Sequence, residues 1–354
     1  MTRSDPKPTG RRFLGIASIL ALLLLPIFLA ACSGKSEEVD PSNPERTSMR
    51  VALDWYANPD HAGFLVTRDR GFFESAGLDV ALETPTDPAL PIKQVAAGEV
   101  DLAISYAPEV LLARERGSDV VAVAAIVDRP LTSMIWLKKS GVKSVRDLEG
   151  KTVSTAGIPY QQAYLDTILE RAGLGPDSVK RVGVGQGLSA SILGGRAAAT
   201  LGPFWNIEGV DLRISGKKPV VNPVDRLGIP TYDELVLVAN GDALAANPQP
   251  ICLFLAALAR GTAEAVGRPN LAVGSVIEAN PALAKEKKTT RAQVEATLPL
   301  LEGSQEGESF GYMSLVEWQQ FINWSFENGV LEESQRAVDA VSDDYLPGRC
   351  PTAN

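Results

Sequence analysis

Leu53-Asp54-Trp55-Tyr56-Ala57-Asn58-Pro59-Asp60-His61-Ala62-Gly63-Phe64 is the stretch on which the reading of this chain turns. The apolar run from Met49 to Leu53 predicts a short buried strand, and the cluster Ala57-Asn58-Pro59-Asp60 a turn. The pattern that follows, over 64–76 and through Gly71-Phe72-Phe73, predicts a helix. The junction is the carboxyl end of a strand meeting the amino end of a helix, where open α/β sheets hold their ligands. Gathered in it are an acid, two aromatics, an amide and His61, the only histidine of the chain. That composition predicts one wall of a ligand cleft.

Outward from this junction, strand and helix patterns alternate as far as Asn240. Strands are expected over 49–53, 78–82, 102–106, 120–127, 133–138, 152–155, 179–184 and 198–203, with helices over 64–76, 91–97, 108–116, 161–172 and 188–193. Such alternation predicts an α/β fold with largely parallel strands. Beyond Asn240 the pattern is helical, over 251–266, 269–280, 291–301, 314–328 and 332–340, introduced by the turn Asn247-Pro248-Gln249-Pro250. A faint internal echo accompanies the alternation: Ala76-Gly77-Leu78 recurs as Ala172-Gly173-Leu174, and Gly98-Glu99-Val100-Asp101 is followed by a counterpart at Gly195-Arg196-Ala197-Ala198. Two similar lobes are expected, with the helical tail returning to the first, since nothing in it could build a third sheet.

Composition narrows the function. The 354 residues are 45% hydrophobic with a formal charge of −9. Removing the first 31 residues takes away four bases (Arg3, Lys7, Arg11, Arg12) and one acid (Asp5), leaving −12. A chain this acidic lacks the basic face that nucleic-acid phosphates require, and it has no electrostatic attraction to anionic lipid. At the amino terminus Arg11 and Arg12 precede an apolar run from Phe13 to Ala31, ending Leu29-Ala30-Ala31-Cys32 before the polar tract Ser33 to Thr47. Small residues before a cysteine and a polar spacer after it resemble the bacterial lipoprotein signal, with Cys32 lipidated as the first mature residue. The alternative is a retained span, and the Arg-Arg pair leaves the export route open. Only Cys252 and Cys350 remain, either paired or as two free thiols. No metal site is expected from one histidine and no ligand-spaced cluster, and no cofactor.

Residues just past strand carboxyl ends collect the cleft chemistry: Asp54, Trp55, Asn58 and His61; Tyr106 and Glu109; Gly157, Tyr160 and Gln161; Phe204, Trp205, Asn206 and Glu208. The set is rich in flat rings and hydrogen-bond acceptors and holds no lysine or arginine. Rings stack on planar guests, and carboxylates and amides accept from amino groups, so a small flat nitrogen heterocycle fits. A sulfonate, nitrate or phosphate would need cationic or helix-amide capture, which only Thr155-Ala156-Gly157-Ile158 offers. Trp136, Trp318 and Trp324 are assigned to core packing. His61 serves equally as a helix cap or a ligand contact, and Asp54 and Glu208 as dipole partners or ligand acceptors. Gly183-Val184-Gly185-Gln186-Gly187 lacks the lysine and spacing of a phosphate loop and is read as a tight turn.

Asp54-Trp55, Asn58-Pro59, His61-Ala62-Gly63, Gly71-Phe72-Phe73, Gly77-Leu78-Asp79-Val80, Arg129-Pro130-Leu131-Thr132-Ser133 and Trp205-Asn206-Ile207-Glu208-Gly209 resemble the substrate-binding proteins of ABC importers related to thiamine-pyrimidine synthases. The resemblance runs from about Met49 to Tyr345. It implies a two-lobed periplasmic-binding-protein type II fold, each lobe an open, mostly parallel sheet flanked by helices, with a helical carboxyl-terminal tail. The expected organisation is a signal peptide over 1–31, a disordered linker over 32–48, lobe I over 49–132 plus 241–345, and lobe II over 133–240, with hinge strands at 133–137 and 235–239. It also implies a monomeric receptor, lipid-anchored on the extracytoplasmic face of the cell membrane. Such a receptor passes an aminopyrimidine thiamine precursor to an ABC permease and its ATPase, and relatives take riboflavin and other heterocycles. Trp55, Asn58 and His61 map to the first wall, and Trp205 and Glu208 to the second, with Glu208 accepting from a ring amino group. The synthase branch uses a histidine at the position of His61 and a cysteine-rich iron motif. No cysteine lies near any loop here, so an enzyme is the lesser expectation. Pro203 and Phe204 depart from the glycine and tyrosine expected before Trp205-Asn206, which leaves the ligand open, with riboflavin, aromatic and sulfonate compounds as alternatives.

Overall fold

A computed structural model describes residues 46–302 and 309–351. The expected signal peptide, Cys32 and most of the linker lie outside the described residues. The linker's last residues, Thr47 and Ser48, already belong to the first strand.

Among the described residues, ten strands form two five-stranded sheets of matching plan. The first contains β1 (Thr47–Ala52), β2 (Leu78–Glu83), β3 (Leu102–Ser105) and β4 (Val120–Val127). The second contains β5 (Thr132–Leu137), β6 (Thr152–Thr155), β7 (Lys180–Gly183), β8 (Ala199–Phe204) and β9 (Pro219–Pro223). β10 (Leu235–Asn240) returns to the first sheet, giving the orders β2-β1-β3-β10-β4 and β7-β6-β8-β5-β9. β10 runs antiparallel to β3 and β4, and β5 antiparallel to β8 and β9, while β1–β3 and β6–β8 are parallel. Each sheet is therefore mixed, its one reversed strand lying just past a crossover between the sheets. The sequence expectation places 235–240 at the end of the second lobe; the backbone pairs it into the first sheet instead. Its run Leu-Val-Leu-Val-Ala is almost wholly buried, as a strand covered on both faces requires.

The helix expected over 64–76 is two helices, Ala62–Asp69 and Phe72–Ser75, separated by Gly71 in the left-handed region (φ 67°). The helix Gln249–Gly267 packs across Ala62–Asp69 so closely that a Cβ at Gly63 would strike Thr262, and one at Gly261 would strike Thr67. Phe254 on that helix stacks on Phe73 at 4.8 Å between ring centroids. The helical tail thus covers the first sheet's side, and its far end is tied back by a Cys252–Cys350 disulfide with Cα atoms 5.8 Å apart. Trp136 and Trp318 are buried, and Trp324 packs against the core, stacked on Phe321. The helix expected over 332–340 is confined to Ala337–Ala340.

The two crossovers are held together by one buried carboxylate. Glu234, just before β10, has no exposure. It accepts from the backbone N–H groups of Leu131 and Thr132 and from the Tyr232 hydroxyl through Oε2, and from the Thr132 hydroxyl through Oε1, all at 2.8–2.9 Å. Leu131 and Thr132 lie where the chain first passes to the second sheet, and Tyr232 and Glu234 where it returns.

A ring- and carboxyl-lined cleft as the candidate functional site

Past β1 the chain makes the turn foreseen from Asn58-Pro59-Asp60. Asn58 has extended backbone, its Oδ1 accepts from the Asp60 N–H at 2.8 Å, and a 3-10 turn, Pro59–His61, leads into the helix. The His61 ring completes the cap. Its Nδ1 accepts from the Asn58 backbone N–H at 3.2 Å, so Nε2 carries the proton and donates to Asp54 Oδ1 at 2.8 Å. The other Asp54 oxygen accepts from the Tyr106 hydroxyl at 2.8 Å. Asp54, His61 and Tyr106 thus form a continuous hydrogen-bonded chain at the mouth of the first sheet, and His61, with no exposure, is a brace rather than a wall.

A cleft opens between the two sheets. From the first half Asp54, Trp55, Asn58, Asp60 and Tyr106 line it; from the second, Ala156, Ile158, Tyr160, Gln161, Leu188, Gly202, Phe204, Ile207 and Glu208. No lysine or arginine is among these residues. Tyr106 faces Tyr160 at 5.9 Å and meets the Phe204 edge at 6.4 Å and 90°. Gln161 is anchored by accepting the Ala156 N–H at 2.9 Å. It fits against Gly202 (φ 121°), where a Cβ would come within 2.6 Å of its side-chain nitrogen.

Of the three second-half rings collected from the sequence, Tyr160 and Phe204 line the cleft, while Trp205 turns away. Consecutive residues leaving an extended strand face opposite ways, and the Trp205 indole N–H donates to the Pro130 carbonyl at 3.3 Å, against the first crossover. Asn206 is likewise behind the wall. Its Nδ2 donates to Asp60 Oδ1 at 2.6 Å and to the Thr297 hydroxyl at 2.8 Å, joining the second half to the first loop and the helical tail. Gly157 is exposed beside the cleft, with φ 88°. Glu109 accepts from the Ser105 hydroxyl at 2.9 Å and borders a separate hollow with Lys93, Arg116 and Pro159. Ala156 and Ile158 belong to the loop singled out for helix-amide capture, while Leu188, Gly202 and Ile207 escape sequence reading because an apolar wall residue looks like any core residue. Asp60 escapes it because it reads as a turn former.

Burial dominates the electrostatics. It pushes the Glu208 and Glu109 carboxyls up to about 7, and Asp60 well above the ordinary range, reinforced for Asp60 by the neighbouring charges of Asp54 and Glu208. Glu208 opens the helix Glu208–Ile214, and one of its oxygens accepts the Phe204 backbone N–H at 2.8 Å. Among the described residues no group of three or more histidine, cysteine or acidic side chains could hold a metal ion. The arrangement can sandwich a flat guest between rings and take its N–H groups on carboxyl oxygens.

The formylaminopyrimidine-binding protein of Halalkalibacterium halodurans is 35% identical over 331 residues, covering 92% of this chain and 97% of its own. At 27% identity over 239 residues, 64% of this chain and 69% of its own, stands a 4-amino-5-hydroxymethyl-2-methylpyrimidine phosphate synthase of Aspergillus parasiticus. Among solved structures, the alkanesulfonate-binding protein SsuA of Xanthomonas axonopodis pv. citri superposes with a TM-score of 0.66 at 14% identity, covering 84% of this chain and 99% of that one, so the fold is that of the periplasmic binding proteins. Residues 58–272 match the family described as NMT1/THI5 like. The chain belongs to the NMT1/THI5-like family.

Proposed function

We propose that this protein is the solute-binding component of an ABC importer and captures a small planar nitrogen heterocycle, an aminopyrimidine, between its two halves for delivery to a permease. The observation that carries this reading is a cleft between two sheets, lined by Trp55, Tyr106, Tyr160 and Phe204, with Glu208 and Asp60 as acceptors and no cation in its wall. An alkanesulfonate would find no lysine or arginine in that wall to meet its charge, which favours a neutral guest. The 35% identity to a formylaminopyrimidine-binding protein supports the same ligand class. Two lobes, one around each sheet, close on the guest by bending at the paired crossovers.

We read the protein as a receptor rather than an enzyme because His61 is enclosed, with both ring nitrogens engaged. Lipid anchoring through Cys32 at the extracytoplasmic face belongs to the same proposal and is tested by Cys32→Ser, which should release the protein from the membrane fraction. For the ligand, a thermal-shift and calorimetric screen across aminopyrimidines, flavins, sulfonates and aromatic acids is expected to give its largest stabilisation with an aminopyrimidine. A response to sulfonates and none to aminopyrimidines would overturn the assignment.

A further inference from the structure

Asp60 is the feature of the cleft that its bracing does not account for. It is 1% exposed, lines the cleft, and spends one oxygen on Asn206, while Oδ2 has no hydrogen-bond partner among the described residues. The nearby carboxyl of Asp54 has both oxygens occupied, by His61 and Tyr106. A buried acceptor left without a donor is costly, and proteins keep such an atom where something else completes it. The backbone amide of Asp60 is capped by Asn58 and its Oδ1 already holds Asn206, so neither of those roles requires Oδ2.

We propose that Asp60 is a specificity-determining residue whose free oxygen accepts an N–H of the guest, making the ligand the missing partner of a carboxyl that also grips Asn206. This rests on the proposed binding of an amino-bearing heterocycle and adds an acceptor on the first wall to Glu208 on the second. The guest then needs N–H donors toward both halves of the cleft, and an amino group with two N–H bonds meets that need better than an oxo group, whose neighbouring ring nitrogen carries one at most. Asp60 also joins the guest to Asn206 and through it to Thr297, so an occupied cleft completes a hydrogen-bond path from the first loop to the second half and the tail.

The test titrates 4-amino-2,5-dimethylpyrimidine and its 4-oxo counterpart into the wild-type protein and into Asp60→Asn, whose retained carbonyl can still accept from Asn206. The wild-type protein should prefer the amino probe, and Asp60→Asn should shrink that preference by about tenfold or more, since the amide NH2 in place of Oδ2 can donate to an oxo group but offers the amino group no acceptor. An amino-to-oxo ratio in Asp60→Asn within twofold of wild type would overturn the proposal and leave Asp60 a brace. Failure of the wild-type protein to bind the amino probe at all would overturn the functional reading as well, which separates the two failures. A crystal structure of the unmodified protein with the amino probe needs no variant: a guest nitrogen within hydrogen-bond distance of Asp60 Oδ2 is expected, and a guest making no polar contact there refutes the role.

Discussion

Glu234 gives the most exacting test of how the two halves are joined. Glu234→Ala removes the acceptor for two backbone N–H groups and two hydroxyls, all inside the protein. The hydroxyls of Thr132 and Tyr232 can turn to other acceptors, whereas the N–H groups of Leu131 and Thr132 are fixed by the backbone. Two orphaned amides at roughly 1–3 kcal/mol each, with the vacated volume, make a loss of about 4 kcal/mol reasonable. Glu234→Gln keeps a carbonyl for the three donors on Oε2, and its amide can donate to the Thr132 hydroxyl. It loses charge assistance, but it also escapes the burial that raises the Glu234 pKa, so the net cost should be about 1–2 kcal/mol. At roughly 2–4 °C per kcal/mol for a chain of this size class, calorimetry on the ligand-free protein should show a melting temperature lowered by about 8–16 °C for the alanine variant and about 2–8 °C for the glutamine variant. Equal shifts for the two, or an alanine variant melting with wild type, would refute the account of Glu234 as the acceptor joining the crossovers.

Trp55→Ala should weaken aminopyrimidine binding by about 1–3 kcal/mol in calorimetry, while Trp205→Ala should lower the melting temperature and leave affinity nearly intact; the reverse pattern would mean that the wrong indole has been placed in the wall. Glu109, Glu208 and Asp233 have folded pKa values raised by burial to about 7, above their unfolded values, so the fold binds these protons more tightly and this stability is lost as pH rises from about 4 through 7. The ligand-free protein should melt higher at about pH 5.5 than at about pH 8.5, and a melting temperature that climbs across that interval contradicts the assignment. Cys252→Ser with Cys350→Ser opens a disulfide that spans 98 residues and should cost about 2–4 kcal/mol; a double variant as stable as wild type in denaturant titration would leave the tie without energetic weight.

The fold was largely legible before any coordinates, because both of its signals are local. A buried strand, a turn and an amphipathic helix leave periodicities of two and 3.6 in the chain, and their alternation identifies the α/β class. The Asn58-Pro59-Asp60-His61 turn was legible for the same reason, since capping is decided by residues that are neighbours in sequence. What escaped was long-range. Nothing within Leu235–Asn240 says that it inserts between β3 and β4, because pairing partners lie outside a strand's own pattern. The residues collected from strand ends included Trp55, Tyr106, Tyr160, Gln161 and Glu208, all of which line the cleft. They also included His61, Trp205 and Asn206, which stand behind it, because position along the chain does not say which way a side chain turns.

By itself, then, the amino-acid sequence determined the kind of chemistry this protein can hold, with rings and carboxyls past the strand ends and no cation among them, since residue type alone fixes charge and hydrogen-bonding capacity. Only the tertiary structure decided which groups remain free to use that capacity. Both oxygens of Asp54 are taken by His61 and Tyr106, and the side-chain nitrogen of Asn206 by Asp60 and Thr297, whereas one oxygen of Asp60 is left over. Availability depends on partners brought from as far as Asn206 and Thr297, and the burial that makes a spare oxygen consequential exists only once the two sheets and the helical tail have closed around it.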